Sequence, residues 1–200
     1  MNFEKVGDDQ KPNDASANAA ITDDAPRTRL IAGVSVPDNP LIAAVIEYAR
    51  RLSEPYLFNH VMRSWLFAET IGRMKGIDYD HEVVAIGTLL HDIGLTASVS
   101  GPNRFEVNGA NAARSFIKGE GLSDRRAQLI WDLVALNSTP SLALHKEPEV
   151  AVGTMGIGLD YGGFGIEALP AGDVERIVKA YPRLRTASTV DVLMNAPFDE

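Results

Sequence analysis

Val83-Val84-Ala85-Ile86-Gly87-Thr88-Leu89-Leu90-His91-Asp92-Ile93-Gly94 reads as a buried segment up to its last turn, where two metal-capable side chains stand side by side. Burying a charge without a partner costs on the order of several kcal/mol. A divalent cation offsets that cost by accepting lone pairs from both groups. Upstream, His60 is separated from His91 by 30 residues; downstream, Asp160 is separated from Asp92 by 67. Two imidazoles and two carboxylates make a nitrogen–oxygen set that suits a borderline or hard divalent ion.

Outward from this segment the chain is predicted to be helical. Pro40 is tolerated at a first helical position behind Asp38 or Asn39, and Leu41 to Leu52 follow. A second helix is predicted from Tyr56 to Lys75, ending at Gly76 after the break at Ser53-Glu54-Pro55. On it, His60, Ser64, Phe67 and Ile71 share one inward stripe, which turns His60 toward the core. Asp80 is expected to cap a third helix ending at His91-Asp92, with Gly94 in a left-handed turn. Further helices are expected from Glu106 to Lys118, Ser123 to Leu136, Glu147 to Leu159 and Pro170 to Tyr181. Gly153 and Gly156 leave a thin face on the helix that leads to Asp160, so that another helix can approach it closely. No repeat occurs, and no alternation is sustained enough to predict a sheet. The expected class is all-α, with six to seven helices.

Composition is consistent with this. Two hundred residues, 45% of them hydrophobic, suit one domain with a real core. No apolar run approaches the roughly 18 residues of a membrane span. Glu4, Asp8 and Asp9 do not read as a secretory signal, so a cytoplasmic location is expected. The absence of cysteine excludes disulfides and thiolate ligands. A net charge of −8 argues against nucleic-acid binding through a basic surface. Half of that charge falls in the first 25 residues, where six acids face only Lys5 and Lys11. Residues 1–28 are therefore expected to be a disordered acidic tail, 29–182 the helical domain and 183–200 a C-terminal extension.

The order His60, His91-Asp92, Asp160 resembles the HD-domain superfamily of metal-dependent hydrolases. The flanks look like its cyanamide-hydratase-like branch: Asn59-His60-Val61-Met62-Arg63-Ser64-Trp65, Leu90-His91-Asp92-Ile93-Gly94-Leu95-Thr96, Arg104-Phe105-Glu106-Val107-Asn108-Gly109-Ala110 and His145-Lys146-Glu147-Pro148-Glu149. Ile31 to Leu41 looks like the entry segment of that branch. The resemblance implies an HD-domain helical bundle in which His60, His91, Asp92 and Asp160 hold one divalent ion, zinc first, with iron, manganese, nickel or cobalt also suitable. Asp92, His145 and Asn137 are the expected catalytic groups. Arg63, Thr96, Arg104 and Phe105 are expected around a small-molecule substrate, and water is expected to add to a nitrile-like carbon.

Several residues carry more than one reading. Arg63, one turn beyond His60, can enter the cavity, pair with Asp92, or serve as an ordinary structural Arg. His145 can line the pocket or sit in a loop. Asn137 departs from the His usual at that position among similar sequences, so a second metal and di-iron oxidation are disfavoured, while its amide can still hold substrate or water. His81 is expected to be exposed. Gly162-Gly163-Phe164-Gly165 lacks the context of a phosphate loop. Two other functions compete with hydration: hydrolysis of a nucleotide or phosphate ester, which needs cations such as Arg63, Arg104 and Lys146 aimed at phosphate, and a non-catalytic metal-bearing module. Neither nucleic acid nor membrane is expected as a partner; a homo-oligomer is compatible with the sequence.

Overall fold

Asn39 opens the first helix by accepting a hydrogen bond from the Ile42 amide at 2.9 Å, with Pro40 as first helical residue. The computed structural model describes residues 27–184. Residues 1–26 of the expected acidic tail and most of the C-terminal extension, including Ala196-Pro197-Phe198, lie outside the described residues, whereas Thr28, placed in that tail by the sequence, already belongs to a strand. Eight α-helices form among those described: α1 Pro40–Leu52, α2 Pro55–Met74, α3 His81–Leu90, α4 Phe105–Phe116, α5 Asp124–Ala135, α6 Pro140–Ala143, α7 Pro148–Gly162 and α8 Ala171–Ala180. The helix beyond the expected seven is the single turn α6, which begins at Pro140 in a stretch that reads as loop. No helix among the described residues is long and apolar enough to cross a membrane.

A two-stranded antiparallel hairpin precedes the helices, β1 Thr28–Ile31 paired with β2 Val34–Pro37. Its loop is Ala32-Gly33, with φ of +50° and +83°, the signature of a tight turn matched to strand twist. The sequence does not announce this hairpin, because only Val34 and Val36 of β2 are fully buried and a two-residue alternation is too short to register. The domain remains helical, with the hairpin laid against α2 and α3.

Helix α3 is the innermost element: every residue from Val83 to Leu90 is buried, and α1, α2, α5 and α7 pack around it. Asp80 holds its start by accepting from the Glu82 and Val83 amides at 3.1 and 3.2 Å. Arg126 of α5 clasps the same carboxylate at 2.7 and 2.9 Å. Ser123 caps α5 by accepting from the Arg126 amide. Ser64, Phe67 and Ile71 of α2 are buried as expected.

Helices α2 and α7 make the most extensive helix pair, and one glycine sets their separation. A Cβ on Gly156 would stand 2.3 Å from the Ser64 carbonyl oxygen and 2.6 Å from the Ala68 Cβ. Only a residue without a side chain permits this approach. It places Asp160, one turn further along α7, opposite the His60–Arg63 turn of α2.

Candidate metal centre

Helix α3 ends at Leu90; His91 keeps a helical backbone, and Asp92 turns the chain into a 3-10 turn over Ile93–Leu95. This break lets two adjacent residues face one point. Gly94 is not left-handed, contrary to the expectation, since its φ is not positive. It serves close packing instead: a Cβ there would fall 1.9 Å from the Phe105 carbonyl oxygen and 2.9 Å from the Gly109 amide nitrogen. The start of α4 is thereby pressed against the turn that carries the metal-capable pair.

Three of the four expected ligand residues converge. His60 Nε2 lies 3.1 Å from His91 Nε2 and 3.5 Å from Asp92 Oδ2, and His91 Nε2 lies 3.3 Å from the same oxygen. The other ring nitrogens are engaged. His91 Nδ1 stands 2.7 Å from the Thr88 carbonyl oxygen, an acceptor only, so it donates. His60 Nδ1 stands 2.6 Å from Asp160 Oδ2 and donates likewise. In its neutral form each imidazole therefore turns a bare nitrogen lone pair toward the other and toward a carboxylate oxygen.

That donor set fits a divalent cation. Ligand atoms about 2.0–2.2 Å from a tetrahedral ion stand about 3.3–3.6 Å apart, and the three separations of 3.1, 3.3 and 3.5 Å lie close to that range. Two imidazole nitrogens and one carboxylate oxygen suit zinc and its first-row neighbours. The electrostatics agree: burial pushes the His91 imidazole pKa down, yet the Asp92 carboxylate and Thr88 carbonyl outweigh it, and the net direction is upward. Burial likewise pushes Asp92 up, but His91 and His60 hold it below the usual carboxylate range. The pocket favours positive charge.

Asp160 sits behind His60, on the far ring nitrogen. Its carboxylate is fully buried and takes a bidentate grip from Arg63, Nε to Oδ1 at 2.7 Å and Nη2 to Oδ2 at 2.8 Å. Burial would raise its pKa, but His60 and Arg63 bring it down to about 2. Arg63 thus pairs with Asp160, rather than with Asp92 as one reading of the sequence allowed. Its remaining nitrogen donates to the Tyr181 and Pro182 carbonyls at 2.9 and 3.2 Å.

The other expected site residues are placed as follows. Asn137 is half-buried and donates both amide hydrogens, to the His91 carbonyl and to the Val134 carbonyl, each at 2.9 Å. Thr96 is buried and donates to the Ile93 carbonyl at 2.7 Å. Arg104 is exposed and pairs with buried Glu106 at 2.6 Å, which Ser138 also meets. Phe105 begins α4, its carbonyl against Gly94. His145 is exposed in the turn before α7, and neighbouring Lys146 pairs with Asp132 at 2.9 Å.

Three features escaped the sequence reading. His81, although exposed, bonds the fully buried Glu69 at 2.8 Å, and Tyr79 joins the same oxygen at 3.2 Å. A cavity of about 620 Å³ opens beside them, lined in part by Asp80, His81, Glu82 and Arg126, at the end of α3 away from the metal-capable residues. Arg183 reaches Asp160 from beyond α8, with Nη2 at 2.8 Å from Oδ1 and Nη1 donating to the Asp160 carbonyl at 2.8 Å.

Comparison with known proteins agrees with this geometry. The family model described as HD domain matches residues 57–180, a span that contains all four expected ligand residues. No curated protein matches the chain.

Proposed function

The chain belongs to the HD-domain family, and from that premise we propose a metal-dependent enzyme that adds water to a small, uncharged substrate, a nitrile-like carbon being the best candidate. The observation that carries the reading is the tripod of His60 Nε2, His91 Nε2 and Asp92 Oδ2, three acceptors within 3.5 Å of one another with both imidazole Nδ1 atoms already engaged. A divalent cation bound there supplies an acidified water and polarises the substrate.

The chain's own groups divide the remaining work. Asp92, kept ionised, can accept a hydrogen bond from the attacking water through the oxygen that does not face the imidazoles. Asn137 holds the His91 carbonyl, and so the turn carrying the pair, while its amide oxygen stays available to a water or substrate N–H. In hydration of a nitrile, the water oxygen bonds to carbon, one carbon–nitrogen π bond opens and the proton ends on nitrogen. His145 is exposed in the turn before α7, and the rate of a His145→Ala variant decides between an acid/base role and a plain loop position.

Uncharged substrates are favoured over phosphate esters by how the cations are used. Phosphoryl transfer needs cationic groups facing the phosphate. Arg63 is committed to Asp160, Arg104 to Glu106 and Lys146 to Asp132. The test is metal analysis of purified protein, followed by assays with cyanamide, simple nitriles and phosphate esters. Turnover of a nitrile-type compound supports the reading; turnover of phosphate esters alone overturns the substrate class.

A further inference from the structure

The chain does not leave the site after α8. Tyr181, Pro182 and Arg183 run across the helices that carry His60 and Asp160 and are fastened to both. On the α2 side, Asn59 donates to the Pro182 carbonyl at 2.9 Å, and Arg63 donates to the Tyr181 and Pro182 carbonyls. The Tyr181 ring meets the Phe58 ring edge-on, with centroids 6.4 Å apart. On the α7 side, Arg183 takes both the carboxylate and the main-chain carbonyl of Asp160.

These bonds form one connected series. Asp160 Oδ2 accepts from His60 Nδ1, which leaves His60 Nε2 bare toward the tripod. Asp160 Oδ1 is shared by Arg63 Nε at 2.7 Å and Arg183 Nη2 at 2.8 Å. Arg63 grips the carboxylate from α2. Arg183 closes on it from the other chain segment and ties the same residue's backbone, so that the carboxylate cannot swing away from the imidazole without breaking bonds on two sides. The segment 181–183 lies beyond the 57–180 span that the family model matches.

We infer that Arg183 is a positioning residue of the metal centre: it fixes Asp160 against His60 and so presents His60 Nε2 to the ion. This rests on the reading of the tripod as a metal site. Partners that orient a ligating imidazole are typically worth about 10–100-fold in metal affinity. Acting through Asp160, and with Arg63 still in place, Arg183 belongs at the lower end of that range.

The test compares wild type, Arg183→Ala and Arg183→Lys as full chains. Co2+ affinity is read by competition with a chromophoric chelator, and the His60 tautomer in the metal-free proteins by 15N NMR of the ring nitrogens. Arg183→Ala is expected to bind Co2+ about 10-fold more weakly and to lose the uniform Nδ1–H form at His60. Arg183→Lys should recover part of both, because an ammonium can reach the carboxylate but cannot also hold the carbonyl. Wild-type Co2+ affinity together with an unchanged His60 tautomer in Arg183→Ala overturns the inference. If wild type takes up no Co2+, the metal reading falls, and the tautomer still decides the role of Arg183.

Discussion

His60 and His91 face each other Nε2 to Nε2 at 3.1 Å, each with its other ring nitrogen donating to an oxygen acceptor. Two lone pairs that close, with the Asp92 carboxylate beside them, repel unless a proton or a cation lies between. Binding of an ion to the folded chain alone therefore also stabilises the fold.

Replacing His91 with Ala removes one nitrogen of the tripod. The variant is expected to lose its metal and to melt at a lower temperature than metal-loaded wild type. Chelation should lower the melting temperature of wild type and leave the variant nearly unchanged. Elemental analysis and a thermal scan check both; full metal occupancy in the variant would falsify the ligand assignment.

Asn137→Ala deletes the side-chain donor to the His91 carbonyl. The expected cost is about 1–3 kcal/mol, since a partly buried acceptor loses its partner. Urea unfolding measures it, and metal content should persist. A variant as stable as wild type would place Asn137 outside the framework of the site and leave its amide to substrate alone.

Gly156→Ala inserts a methyl group 2.3 Å from the Ser64 carbonyl oxygen. Overpacking of this kind costs about 1–3 kcal/mol. The displacement of α7 from α2 should also weaken the His60–Asp160 bond. Lower stability together with weaker metal binding is the expected pair of results, whereas a neutral substitution would show that the two helices part without strain.

Acid should act on the metal-free protein through Asp160. Its folded pKa is held at about 2 against an ordinary 3.8, so the unfolded chain binds the proton first as pH falls. The stabilisation is fully present above about pH 4 and is lost progressively as pH falls toward 2. In Asp160→Asn, urea midpoints should be lower at neutral pH and flatter across that window. Equal slopes for the two proteins would contradict the assignment.

Much of the fold was legible because helix starts are chemically marked: Asn39, Asp80 and Ser123 each cap as their residue types require. The His91-Asp92 pair stood out because charge-bearing side chains ended an apolar run. What escaped depended on distant partners. Arg63 lies a turn beyond His60 whichever acid it meets, and only the α2–α7 spacing selects Asp160. Gly94 looks like a left-handed terminator in sequence, yet its role is set by Phe105, which arrives from another helix. Arg183 carries no local signal, since its place follows from the path of the chain after α8.

The burial of α3 has a kinetic side. A segment buried without interruption from Val83 to Leu90 cannot fray on its own, so its amides should exchange with solvent only when the whole domain opens. His91 and Asp92 follow directly on the last residue of that element, so breathing of the periphery should scarcely disturb the tripod. The metal-free protein should then keep an assembled site, and hydrogen exchange along Val83–Leu90 should report the free energy of global unfolding.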